Sequence, residues 1–172
     1  NLGVAHLDVH GTKRAYQAVK TRAIASLDAA GCLVSGVEER QLDLLVRRLP
    51  AGAGCITAGL AQGCDVRATP VEGSLFGRTV LASWGGHVAP LALDTPVVPF
   101  VRDSLLAIAV GARYRIPLPT AIRGLESAGS VPGRMERIDR GQDAAIFVDS
   151  PTSGHALAAT LASAPEPGAE SL

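Results

Sequence analysis

With 172 residues and a mass of 17.6 kDa, the chain has the size of one ordinary domain, or of a small domain plus part of another. Sixteen basic side chains balance sixteen acidic ones; the formal net charge of zero leaves no basic excess for a nucleic-acid backbone and no acidic tail. A hydrophobic content of 47% argues against disorder, an aromatic content of 3% calls for an aliphatic, alanine-rich core, and no apolar run approaches the ~20 residues of a membrane span.

The predicted elements alternate. Thr12 can cap a helix over Lys13 to Ala30, with Tyr16, Val19, Ala23 and Leu27 on one face and Gly31 as its stop. Cys32 to Ser35 reads as a short buried strand. Val37 to Leu49 reads as a second amphipathic helix, with Leu42, Leu45, Val46 and Leu49 on its apolar face, and Ala53 to Ala58 as another strand. This order is the signature of an α/β fold with a parallel sheet. Three short β-like runs follow, Asp65–Glu72, Ser74–Ser83 and His87–Leu93, punctuated by Gly73 and by Trp84-Gly85-Gly86, and they predict a small antiparallel meander added to the sheet. Helical periodicity returns over Pro99 to Tyr114 and Pro117 to Ser127. Pro132-Gly133 marks a break, with a domain boundary near Val131. Beyond it, Arg134–Asp139 and Ala144–Asp149 predict a hairpin around Gly141-Gln142, Gly154 to Ala164 predicts a last helix, and Ala164 to Leu172 reads as a frayed tail.

The chemistry-bearing residues are sparse. Cys32, Cys55 and Cys64 are odd in number and form no C-x-x-C pair, which disfavours a zinc site or a disulfide framework and suits a reducing cytoplasm. Neither lysine of the chain, Lys13 or Lys20, follows the glycine frame of a phosphate-binding P-loop, and no G-x-S-x-G nucleophile elbow is present. On pattern alone, His6 is as readily a satisfied polar residue as a ligand, Lys20 a solvated helix residue, and Asp149 a turn former. Asp149 nevertheless follows an apolar run, at a strand end, where α/β sheets bind ligands.

The order of motifs says more than any one of them. Asn1 to Thr12, with the run Ala5-His6-Leu7-Asp8-Val9-His10-Gly11-Thr12, followed by Tyr16-x-Ala18-x-Lys20, resembles the Mur ligase segment N-L-x-x-D-H-L-D-x-H-G-T … Y-x-A-A-K. Pro132 to Asp149 resembles the start of the C-terminal domain of the same family, and the UDP-N-acetylmuramoyl-tripeptide synthetase branch is the most similar. The resemblance implies the second half of a P-loop-type central domain over residues 1–130 and the start of a Rossmann-like C-terminal domain over 131–172. The absent P-loop and initial Met then fit a partial chain.

The implied activity is an ATP- and Mg²⁺-dependent amide-bond ligase of cytoplasmic peptidoglycan precursor synthesis. It would add an amino acid to a UDP-N-acetylmuramoyl peptide through an acyl phosphate, with no nucleic-acid partner. Carried over position by position, the resemblance implies that His6 binds a metal and that Lys20 becomes a carbamate, which turns a cation into a carboxylate acceptable to Mg²⁺. It implies that Arg134 approaches the ATP phosphates and that Asp149 contacts the nucleotide. The chain departs from the family pattern in places. Ser150 to Leu157 replaces Y-A-H-T-P-D-A-L, Phe100 and Asp103 stand where asparagines read adenine, and Ala5 replaces an Asp. These departures imply an alternative, a degenerate paralogue that serves as a binding or scaffold module without ligase activity. Folylpolyglutamate and cyanophycin synthetases, which are related amide-bond ligases, are a further reading.

Overall fold

The structure, a computed structural model, describes residues 7–36 and 42–163. It is α/β as predicted. The order is α1 (Leu7–His10), α2 (Lys13–Ala25), β1 (Cys32–Gly36), α3 (Leu42–Val46), β2 (Gly54–Gly59), β3 (Val66–Gly73), β4 (Arg78–Trp84), β5 (His87–Leu93), α4 (Val98–Arg113), α5 (Leu118–Ser127), β6 (Glu136–Ile138), β7 (Ile146–Val148) and α6 (Gly154–Ser163).

Strands β1 to β5 form one sheet in sequence order. β1, β2 and β3 pair in parallel, and β3, β4 and β5 pair antiparallel, which is the predicted meander. Parallel neighbours ordinarily need a crossover of a dozen residues or more. Here β3 starts beside the end of β2, in only two registered pairs, Ala58↔Val66 and Gly59↔Arg67, so residues 60–65 suffice as a connection. Asp65 fixes that loop: its Oδ2 accepts from the Thr57 amide at 2.8 Å and from the Thr57 hydroxyl at 2.7 Å, while its own amide donates to Thr57 Oγ1 at 3.1 Å. Past Arg67 the outer side of β3 has no registered partner, which is where Pro70 can sit without breaking a ladder. The β4–β5 turn is Gly85-Gly86, both at positive φ (58° and 81°), as a two-residue hairpin of this type requires.

The core is aliphatic and rich in alanine, as the composition demands. Ala58, Val66, Ala68, Val80, Ala82 and Leu91 of the sheet meet Val101, Leu105, Ile108 and Ala109 of α4 and Leu118 and Ile122 of α5. Within the run Ser104–Ala112, too short for a membrane, Leu105, Ile108, Ala109 and Ala112 are buried while Val110 is exposed; no helix of the described residues is long and apolar enough to cross one. Glu126 of α5 accepts from the Ala92 amide at 3.0 Å and so occupies a donor of edge strand β5. Successive residues of β1 point to opposite faces: Val34 joins this core, while Leu33 joins a smaller cluster with Ile24 of α2, Leu45 of α3 and Leu49. Helices therefore cover both faces at β1, and register carries the Leu33 face across to Leu81 and Val88, which are exposed.

Two helices differ from expectation. α2 ends at Ala25 rather than Ala30, because Ser26 bonds back through its hydroxyl to Ala23 O at 3.0 Å and Asp28 Oδ1 accepts from the Ala30 amide at 3.0 Å. Such side chains offer the backbone an alternative to helix. The buried face of α2 is Tyr16, Thr21 and Ile24, and Val19 of the expected face is 45% exposed. Ile24, bulkier than Ala23, is the α2 side chain that packs with Leu33. In α3, Leu45 is buried but Val46 is exposed. His6, residues 37–41 of the predicted second helix, and residues 164–172 of the predicted tail lie outside the described residues.

The predicted C-terminal hairpin is present, with Glu136↔Val148 and Ile138↔Ile146 paired antiparallel in a second, two-stranded sheet. Its loop is held by Gln142, which accepts from the Arg140 amide at 2.7 Å and donates to Ile138 O at 2.6 Å.

Candidate functional site

Chain direction gathers several functional candidates at one edge of the large sheet. α2 passes into β1 through the short segment Ser26–Gly31, so its N-terminal end points toward the carboxyl ends of β1 and β2. β5 runs parallel to them, and α4 starts just after it, at the same edge. At the opposite edge, Arg113 near the end of α4 donates to Ala30 O at 2.5 Å. The carboxyl edge is where open α/β sheets bind ligands.

On α2, Thr12 caps the helix by accepting from the Ala15 amide at 3.2 Å, as its position predicted. One turn on, the buried Tyr16 ring supports two neighbours: the Lys20 Nζ lies 5.1 Å from its centroid, and the His10 ring lies 5.3 Å away, tilted by 55°. Lys20 is exposed, although a carbamate site would turn it away from solvent. The physical reason is that an ammonium keeps its hydration while its stem lies along an aromatic face. The sequence reading missed the roles of Tyr16 and His10; the i, i+4 spacing of Tyr16 and Lys20 was the available signal.

On the hairpin, the structure brings Arg134 and Asp149 together. Arg134 donates to Ser150 O at 2.6 Å, next to Asp149. The Asp149 Oδ1 accepts from the Met135 amide at 3.3 Å, and its Oδ2 accepts from the Thr160 hydroxyl of α6 at 3.3 Å. Asp149 thus links β7, the start of β6 and α6. Arg134 is exposed, and a guanidinium carries five N–H donors, so the bond to Ser150 does not exhaust it. Arg134 therefore fits an anion such as a phosphate, whereas Asp149 already has a structural role.

The described residues do not by themselves fit Mg²⁺. They contain no group of three or more His, Cys, Asp or Glu side chains placed to hold a metal, and the Lys20 amine is itself a cation. The three cysteines form no disulfide. Burial pushes the Cys55 thiol up, with Cys32 and Asp65 adding to the effect, which disfavours the reactive thiolate.

Comparison with known proteins shows what the chain is similar to. No protein-family model matches the chain. It is 30% identical over 161 residues to the UDP-N-acetylmuramyl-tripeptide synthetase of Roseiflexus sp. (strain RS-1), covering 87% of this chain and 31% of that protein. It is 32% identical over 156 residues to the UDP-N-acetylmuramoyl-L-alanyl-D-glutamate--2,6-diaminopimelate ligase of Thermosynechococcus vestitus, with 87% and 30% covered. Over most of its length the chain is similar to a segment of Mur ligases. It spans about a third of the length of these curated relatives. Among solved structures, MurF from Acinetobacter baumannii superposes with a TM-score of 0.80 at 18% identity, over 92% of this chain and 34% of that one. MurF from Thermotoga maritima, solved in complex with ADP, superposes at 0.78 with 18% identity, over 95% and 37%. These likenesses establish a Mur ligase fold across both the large sheet and the hairpin.

Proposed function

We propose that this chain is the part of an ATP-dependent amide-bond ligase that adds an amino acid to a UDP-N-acetylmuramoyl peptide in cytoplasmic peptidoglycan precursor synthesis, and so serves cell wall biogenesis, cell shape and division. The observation that carries the proposal is the 30% identity to a tripeptide synthetase over 87% of the chain. In this reading residues 1–130 belong to the central domain and 131–172 open the C-terminal domain. ATP and the two organic substrates meet between them, the peptide carboxylate is activated as an acyl phosphate, and the amino group of the incoming amino acid displaces the phosphate. His6 and Lys20, the latter as a carbamate, are the proposed Mg²⁺ ligands. Arg134 is proposed to face the phosphates, where its exposed guanidinium suits a developing negative charge. Asp149 is proposed to contact the nucleotide from beside it.

The 172-residue chain by itself is expected to release no phosphate from ATP, since it carries no P-loop and catalysis depends on several groups held at once. In a chain of the full length of the relatives, Lys20→Arg keeps the charge but cannot form the carbamate. Loss of ATP-dependent ligation at ambient bicarbonate would support the reading, and retained ligation would defeat it.

Two observations favour a second reading, a paralogue of the family without ligase activity. Asp149 is engaged by Met135 and Thr160, and Asp103 stands on the first turns of α4 in place of a neutral asparagine. Isothermal titration of ATP against the full-length chain separates the two: measurable affinity supports the ligase, and its absence supports the paralogue.

A further inference from the structure

We infer that Phe76 and Arg137 form a latch that holds the β6–β7 hairpin, and with it Arg134 and Asp149, at the carboxyl edge of the large sheet. The Arg137 guanidinium carbon lies 4.2 Å from the centroid of the Phe76 ring, within the range of a stacked cation–π contact. Asp139 orients the same guanidinium through an ion pair of 3.1 Å.

Phe76 is presented by a braced turn. β3 is parallel to β1 and β2, so the residue 74–77 loop that follows it projects past the carboxyl edge. Within that loop Ser74 Oγ accepts from the amides of Phe76 and Gly77, both at 3.1 Å, and the Ser74 amide donates to Gly77 O at 2.8 Å. The ring therefore has a fixed base while 46% of its surface remains exposed.

The hairpin, in contrast, hangs on a connection without regular structure. Residues 128–135 lie between α5 and β6, and the backbone is left-handed at Gly129 (φ 66°), Gly133 (φ 68°) and Met135 (φ 47°). Ile146 and Val148 are 46% and 44% exposed, and no residue of β6 or β7 belongs to the apolar cluster of the large sheet. α6 rests against α4 and anchors the far end of the unit. The Phe76–Arg137 pair ties the near end. Both partners are half exposed, which makes the contact strong enough to bias a position and weak enough to release it. If Arg134 faces a phosphate, the latch sets how often it is within reach. The latch itself rests on the fold alone and not on the ligase reading.

The test is limited trypsin digestion of the 172-residue chain, following cleavage of the Arg134–Met135 bond by mass spectrometry. When opening is fast, cleavage tracks the open population. Phe76→Ala and Arg137→Gln should each speed this cut by about two- to five-fold, the population change expected from losing an exposed cation–π contact. Phe76→Tyr, which keeps the ring, should leave the rate near that of the parent chain. The double variant should cleave no faster than either single one, because one contact is lost in each case. Cleavage after Arg67, inside β3, serves as the control and should not change. Unchanged rates at Arg134 in both single variants would overturn the latch. So would a double variant with multiplied effects, or an equal acceleration at Arg67, which would mark general destabilisation. Arg137 is exposed, so Arg137→Gln keeps the test valid if Phe76→Ala fails to fold.

Discussion

The two sheets of this chain are held by different means. The five-stranded sheet is fixed by burial: Val66, Val80, Leu91, Leu105 and Ile108 are at most 1% exposed and belong to one continuous cluster. The two-stranded hairpin has little core of its own, and Met135 is its one side chain of the buried hydrophobic class. Its shape depends on side-chain hydrogen bonds from Asp149, Glu136 and Gln142 and on the contact of Arg137 with Phe76. Non-directional burial builds a rigid platform, whereas a few directional contacts leave a unit that can be repositioned. The residues proposed to face the nucleotide sit on the second kind of structure and the proposed carbamate lysine on the first.

The contrast is sharpest for a core truncation. Leu105→Ala should cost about 2–5 kcal/mol of global stability by chemical denaturation, because α4 cannot collapse onto a sheet already packed at Val66 and Leu91. Phe147→Ala, in a half-buried hairpin position, should cost about 1 kcal/mol. Equal costs would remove the distinction between the two sheets.

Next in size is the clamp that allows the short β2–β3 connection. Asp65→Ala removes the acceptor for both the Thr57 amide and hydroxyl, and should cost about 1–3 kcal/mol in the same assay. Asp65→Asn, which keeps an acceptor oxygen, should recover part of the loss.

Asp149→Ala should act locally. It releases the Met135 amide and the Thr160 hydroxyl, so amide exchange should quicken at Met135 and in α6 while protection in β2 to β4 stays unchanged. A matching loss of protection in the large sheet would show that hairpin and platform open as one unit.

The smallest expected effect is electrostatic. Burial of the Asp103 carboxyl raises its pKa above the ordinary carboxylate value, although the residue as a whole keeps contact with solvent. The folded state then holds this proton to higher pH than the unfolded chain does. The ionised form therefore costs stability at neutral pH, and that cost fades as pH falls through the folded pKa. Asp103→Asn should raise Tm slightly at pH 7, and the gain should disappear toward about pH 4. A gain that persists in acid would point to a packing effect instead.

Much of the architecture was legible in the sequence because it is written in local signals. Thr12 caps where a β-region hydroxyl residue precedes a helix, Gly85-Gly86 makes the turn that only positive φ allows, and the period-two runs of β3 to β5 became a meander. The family motifs likewise pointed to the Mur ligase fold. Three things were not legible. Periodicity alone did not say that Ile24 packs with Leu33 and that Thr21 is buried while Val19 is exposed, since that depends on which volume the neighbouring strand can accept. The stagger that lets six residues join parallel β2 and β3 depends on Asp65 reaching Thr57 across the sheet edge. The exposure of Lys20 over Tyr16, the double engagement of Asp149 and the approach of Arg137 to Phe76 all join residues through space. Apart from the short helix α1, which the sequence reading lacked, the sequence by itself determined the element types, their order and the candidate residues, because backbone preference and side-chain period act within a few residues. Tertiary structure alone decided which of those residues meet, because burial and hydrogen-bond geometry depend on neighbours far away along the chain.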